Sequence, residues 1–135
     1  LSFDLGAERF DEPRGRDFHR QLLEKVKSIP GVRSAALSDN LPLGGGLGRT
    51  VFPEGQEPGS GAVGQFVTAD TVGVGYLTTL GIPLRRGRDI TEADREGTPL
   101  VVVINEAMAR TFWKDQDAVG KRFKFFGDED FREVV

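Results

Sequence analysis

"PLVVVINEAMARTFWKDQDAVGKRFKFFGDEDFREVV", residues 99–135, is the stretch whose reading decides the fold class. It opens with a continuously apolar, β-branched run over 99–104, the pattern of a strand covered on both faces. Asn105 is a good helix N-cap, and Ala107, Met108, Phe112 and Trp113 follow in a helical stretch. The period then changes to two: Val119, Phe123 and Phe125 alternate with Arg122 and Lys124, as in a strand with one buried face. An acidic turn at Asp128, Glu129 and Asp130 leads into a final strand in "FREVV". Strand, helix, strand and strand in one short stretch predict a mixed α/β module.

Upstream lies "GYLTTLGIPLRRGRDIT", residues 75–91. "YLTTLG" predicts one or two helical turns closed by Gly81, and Pro83 then starts an extended piece. Gly87 permits a tight bend before Asp89. Thr91, Glu92, Ala93 and Asp94 form a near capping box and predict another short helix start. "QFVTADTV", residues 65–72, reads as a strand. Between 41 and 64 the composition shifts to glycine and proline, which predicts a loop or an irregular hairpin. At the start of the chain "LSFDLG" alternates as a short strand does. Phe18, Leu22, Val26 and Ile29, widened by Leu23, then keep helical spacing until Pro30-Gly31 ends the helix. "VRSAALS", residues 32–38, reads as a second strand. Strand, helix and strand with short links make a βαβ unit whose two strands run parallel.

Composition narrows the function classes. The chain has 135 residues, a formal net charge of −3, ten phenylalanines, one tryptophan and no cysteine. A dedicated nucleic-acid binder usually carries a basic excess, and none is present. Without cysteine there is no disulfide framework and no thiolate metal site, which leaves the compartment open. The longest apolar run is strand-sized, far short of the ~18 residues of a membrane span.

The residues that could carry chemistry read mainly as architecture. Gly59, Gly61 and Gly64 satisfy G-x-G-x-x-G, but prolines precede them and a strand pattern follows, so the helix N-terminus that would meet a pyrophosphate is missing. The glycines at 44–46 lack the Lys-Ser or Lys-Thr of a phosphate loop. His19, the only histidine, would need a nucleophile beside it and an orienting carboxylate to act as a general base; it flanks the apolar stripe of the first helix, where a partly exposed histidine is ordinary. Asp128, Glu129 and Asp130 lack the oxygen spacing of a calcium loop and read as a solvated turn. Arg85, Arg86, Arg88 and Arg95 are balanced by Asp89, Glu92, Asp94 and Glu96, and opposed charges cancel within a Debye length of roughly 8–10 Å. No aromatics interleave there to stack bases. The expectation is a salt-bridged surface, with no catalytic, cofactor or metal residues.

Residues 75–125 carry a family pattern: Tyr76-Leu77, Leu80 through Leu84, Arg86-Gly87-Arg88, the apolar strand ending at Ile104, Asn105-Glu106 and Gly120-Lys121. With "LLEKVKSIPGVRSAALSDNLPL" upstream, the chain resembles the MacB-like periplasmic core domain of bacterial ABC-transporter permeases. Within that group it is similar to the large permeases with an FtsX-like membrane domain. Gly73-Val74 stands where the family often has Ser-Pro. Family domains also continue past "FREVV" into a second βαβ half, and without it a sheet edge is exposed that invites pairing with another copy.

The resemblance implies an α+β fold: a porter-like lobe built on βαβ halves, with a smaller mixed α/β inserted lobe. Residues 1–40 would be the first βαβ half, 41–64 a Gly/Pro-rich loop or irregular hairpin, and 65–135 the inserted lobe and return strand. It implies no enzyme activity and no cofactor. It implies a periplasmic position on an inner-membrane protein, and transmission of movement driven by cytoplasmic ATP hydrolysis. The expected partners are the transmembrane and nucleotide-binding parts of the same transporter, a periplasmic adaptor protein and a second copy across a sheet edge, with no nucleic acid. Two other readings compete. One is an extracytoplasmic module for a small ligand or peptide, with 41–64 as a flap; the other is a hydrolase centred on His19.

Overall fold

The computed structural model describes residues 12–40, 45–56 and 58–135. Among them are helices α1 (Glu12–Lys27), α2 (Tyr76–Leu80) and α3 (Glu106–Phe112). The strands are β1 (Leu47–Pro53), β2 (Gln65–Ala69), β3 (Leu100–Val102), β4 (Arg122–Phe125) and β5 (Arg132–Val134). They form one sheet in the order β2-β1-β4-β5-β3. Neighbours are antiparallel except β3, which runs parallel to β5. The α+β class expected from the sequence is the class observed.

The period-two reading of β4 locates the core. Phe123 and Phe125 are both buried on one face, while Arg122 and Lys124 point the other way. Val51 of β1 lies opposite Phe125, and Val102 of β3 pairs in register with Val134 of β5, so these side chains join the same face. Asn105 caps α3 as expected, its Oδ1 accepting from the Met108 N–H at 2.8 Å. That start aims Met108, Phe112 and Trp113 onto Val51, Phe123, Phe125 and Val134. The Phe123 ring sits 6.5 Å from Trp113 and 5.6 Å from Phe125. Full burial of one such ring contributes roughly 1.5–3 kcal/mol. Of the described phenylalanines, only Phe52, Phe123 and Phe125 are buried, so the core is small.

Three expectations change, and a fourth is narrowed. The run 99–104 is not a strand covered on both faces: β3 has three residues, lies at a sheet edge and leaves Leu100 exposed. Its β-branched residues suit an extended backbone, but only the α3 side buries Val102 and Ile104. Residues 32–38 form no ladder among the described residues. Ser38 makes an isolated antiparallel bridge to Val72, and the Gly73 N–H donates to Leu37 O at 2.9 Å. The parallel partner expected over 1–6 lies outside the described residues.

Thr91–Asp94 starts no helix, although the capping geometry is there. The Asp94 carboxylate accepts from the Thr91 N–H at 2.8 Å, and the Ala93 N–H reaches Thr91 Oγ1 at 3.3 Å. Gly97, at φ 82°, and Pro99 then turn the chain toward β3. Within 41–64, finally, Leu47–Pro53 forms the first arm of the β1–β2 hairpin and pairs with β4 on its other side.

Two further sequence readings hold. α1 carries Phe18, Leu22, Leu23 and Val26 half-buried and ends just before Pro30, with Gly31 at φ 90°, whereas Ile29 falls past the helix end and is 52% exposed. None of these side chains belongs to the buried core. α2 ends at Gly81, where the Ile82 N–H reaches back to Leu77 O at 2.9 Å and the Gly81 N–H to Thr78 O at 3.1 Å. That pair of bonds is the Schellman stop, and Gly81 supplies its left-handed residue.

Candidate functional site

Of the four arginines that draw attention in the sequence, Arg85, Arg86 and Arg88 are engaged in ion pairs. Arg88 forms a two-pronged pair with Asp94, at 2.7 and 2.8 Å. Arg86 reaches Asp117 at 3.1 Å and Arg85 reaches Glu106 at 3.5 Å. The three guanidiniums thus fan out to their own loop, to the α3–β4 connection and to the start of α3. Exposed pairs of this kind contribute about 0–1 kcal/mol each. Their effect is to hold the segment after α2 against α3 and its following loop. A carboxylate already in contact with each guanidinium offsets the positive charge that would attract a phosphate.

Beside Arg88 lies an open depression of roughly 310 Å³ lined by Asp94, Thr98, Val101, Glu133 and Val135. Ligand pockets run from about 300 to 1,000 Å³ and enclose most of their guest. This one is at the lower end and shallow. Among the described residues no group of three or more His, Asp or Glu side chains could hold a metal ion.

Proton affinities give the same picture. A general acid or base works best with a pKa near the operating pH. Asp94 is held far below the usual carboxylate range, first by the Arg88 hydrogen bond and then by the Thr91 backbone. Glu54 is lowered by its hydrogen bond to Arg122, and Arg122 is raised in return. Arg88 is raised mainly by Asp94, and Arg20 by Asp17 and Glu24. Each of these shifts moves its group away from neutrality.

The remaining sequence candidates scatter. His19 sits half-buried on α1 with its ring 6.1 Å from that of Phe18. Gly59 and Gly61 occupy a turn at φ 99° and 84°, and Gly64 leads into β2, so no helix follows the G-x-G-x-x-G pattern. Gly44 lies outside the described residues. Because Leu47–Pro53 is a central strand, those residues are held in the sheet and do not form a flap.

The acidic turn is a partial correction. Glu129 and Asp130 are exposed, but Asp128 is only 23% exposed and bridges two arginines. Its Oδ1 accepts from Arg49 at 2.8 Å and its Oδ2 from Arg132 at 2.5 Å. Both guanidiniums also stack on the Phe125 ring, at 4.5 and 4.7 Å from its centre. This clip ties β1, β4 and β5 together. The alternation of Arg49, Val51 and Pro53 in "GRTVFP" is the signal that could have placed Arg49 beside the core.

Comparison with known proteins decides the family. Residues 6–135 match the family model described as the MacB-like periplasmic core domain. The chain belongs to that family. MacB-like domains of this kind are periplasmic domains of ABC-transporter permeases. Among solved structures, the chain is similar to the crystal structure of the periplasmic region of MacB from Actinobacillus actinomycetemcomitans, with a TM-score of 0.56 and 17% identity. The match covers 87% of this chain and 48% of that one, so the MacB-like chain spans about half the length of that periplasmic region. At this identity the likeness speaks for the fold. A search of curated proteins gave no match. No helix among the described residues is long and apolar enough to cross a membrane.

Proposed function

We propose that this MacB-like domain is the non-catalytic, extracytoplasmic part of an ABC-transporter permease and carries movement from the membrane to partners outside it. Family membership over residues 6–135 is the observation that carries the reading. The charge arrangement supports the non-catalytic part, because the shifted carboxylates and guanidiniums are drawn into ion pairs rather than poised near neutrality. In this reading ATP is hydrolysed by a cytoplasmic nucleotide-binding partner, the transmembrane part relays the stroke, and a periplasmic adaptor or cargo receives it. The domain lies in the periplasm, 1–40 belonging to a porter-like lobe and the sheet of β1 to β5 to a smaller inserted lobe.

The test uses the full permease with its ATPase in nanodiscs and spin labels at exposed positions. One pair joins Glu92→Cys to a site on the nucleotide-binding part; a second pair, Glu92→Cys with Gln56→Cys, lies within the domain. Trapping the ATP-bound state should change the first distance and leave the second fixed, as a rigid relay requires. A first distance that is the same with and without nucleotide would overturn the proposal.

A further inference from the structure

The chain passes from α1 to the sheet and back along two segments that meet before the sheet begins. Residues 32–38 lead away from α1, and the segment that leaves β2 returns past them at Thr71 to Gly73. They form a short antiparallel joint around the Ser38–Val72 bridge: the Asp39 N–H donates to Thr71 O at 3.0 Å and the Gly73 N–H to Leu37 O at 2.9 Å.

In this pattern Ser38 and Val72 are a non-hydrogen-bonded pair, so Asp39 and Thr71 come next and would exchange both backbone bonds. They exchange one. The Thr71 N–H goes instead to the Asp39 side chain, whose Oδ1 accepts it at 2.9 Å. The same oxygen accepts from Asn40 Nδ2 at 3.0 Å. The carboxylate thus takes the place of the Asp39 carbonyl, and the ladder stops there. On the returning segment only Asp70 separates this joint from Ala69 of β2, whereas residues 40–46 intervene before Leu47, the partner of Ala69. Gly46 then lets the two segments close up again, since a Cβ there would lie 2.7 Å from Ala69 O. Residues 65–73 are therefore one run of chain, bonded to β1 at one end and to residues 37–39 at the other.

We propose that Asp39 is a positioning residue that couples α1 to the sheet: by holding the Thr71 amide it fixes how the segment after α1 joins the strand returning from β2. A bond from an amide to a carboxylate is roughly twice as strong as one between neutral groups. α1 supplies no side chain to the buried core, and its ion pair from Arg16 to Glu96 is exposed and contributes little. The other crossing, 81–88, is pinned to α3 and its following loop by Arg85 and Arg86. With that side held, the bond at Asp39 governs how far α1 swings against the sheet. All the atoms of this joint lie within residues 37–73 and are bonded to one another, so no open surface is involved. The joint rests on backbone geometry alone, and its failure would leave the transport reading untouched.

The test uses the full permease in nanodiscs. Hydrogen exchange resolved to the Thr71 amide should quicken at least about fivefold in Asp39→Ala, which removes the acceptor. It should return close to the native rate in Asp39→Asn, which keeps Oδ1. Spin labels at Gln21→Cys on α1 and Gln56→Cys after β1, both exposed positions, should give a narrow distance distribution that broadens in Asp39→Ala. The Glu92→Cys and Gln56→Cys pair should keep its distribution, which shows that the sheet is folded in the variant. Glu96→Ala, which removes only the exposed pair to Arg16, should leave the Gln21–Gln56 width near native. A native exchange rate at Thr71 in Asp39→Ala, or a Gln21–Gln56 distribution as narrow as the native one, would overturn the proposal. Equal broadening in Asp39→Asn or in Glu96→Ala would overturn it as well.

Discussion

Replacing Asp128 by alanine distinguishes a structural clip from a solvated acidic turn. In the structure the carboxylate accepts one charge-assisted bond from Arg49 and one from Arg132, and all three side chains are only 23–29% exposed. A hydrogen bond to a charged group contributes about 1.5–3 kcal/mol when well shielded. Partial exposure lowers that toward about 1 kcal/mol per bond. The two bonds together therefore contribute about 2 kcal/mol. Their loss also leaves two guanidiniums stacked on one Phe125 ring with no anion between them. Asp128→Asn keeps an oxygen acceptor but no charge, and should cost about half as much. Glu129→Ala and Asp130→Ala, at exposed positions of the same turn, should stay within about 0.5 kcal/mol. Urea unfolding read from Trp113, the only tryptophan and a buried one, reports on the core directly. With a slope of about 1–3 kcal/mol per molar urea, Asp128→Ala moves the midpoint down by about 1 M. A midpoint for Asp128→Ala that coincides with that of Glu129→Ala would refute the clip.

Other outcomes follow from the same geometry. Phe123→Ala empties the centre of a small core, since the ring is 1% exposed; a loss of about 3–5 kcal/mol, visible as collapse of the Trp113 transition, is expected, and a loss below about 1 kcal/mol would contradict the core assignment. Gly87→Ala strains the bend after Arg86, because the φ is +76° and the new Cβ would lie 2.5 Å from the Val135 carbonyl carbon. It should cost about 1–3 kcal/mol in the same unfolding assay, and an unchanged midpoint would count against the bend.

Asp94 gives the pH dependence. Its folded pKa is depressed below the ordinary 3.8, so its contribution is fully present above that value and disappears as pH falls through the folded value. The stability gap between the native chain and Asp94→Asn should thus be constant above about pH 5 and close in stronger acid. A gap that persists unchanged in acid would rule out the Arg88–Asp94 linkage.

The sequence disclosed the elements whose stability is local. Asn105 with α3, the Gly81 stop and the Phe123/Phe125 alternation each depend on neighbours a few residues away. What it concealed depends on distant partners. β1 lies in a glycine-rich region, and its strand state comes from β2 on one side and β4 on the other, so the local composition around Gly48 and Pro53 left loop and irregular hairpin both open. Strand preference reflects packing on a pleated surface more than an intrinsic bias of the backbone. The run 99–104 misled in the opposite direction: its β-branched residues promise a central strand, yet three residues at an edge are all that pair. Asp128 is the same lesson at the level of a side chain. Its clip to Arg49 joins residues 79 positions apart, which charge counting along the chain cannot register.

The ion pairs matter less for how much they stabilise than for what they join. Arg49–Asp128, Arg122–Glu54 and Arg16–Glu96 each connect segments that are remote in sequence. Exposed pairs add little free energy, so the small one-sided core must supply most of the folding. Their geometric effect is different: each fixes where a loop or strand end lies relative to the sheet. A domain that relays movement needs that kind of stiffness, because a loop free to rearrange would absorb the stroke. The opposite face of the sheet is built from rings, with Phe66 lying over Gly48, where a Cβ would come within 2.3 Å of it, and Phe52 6.3 Å from Phe126.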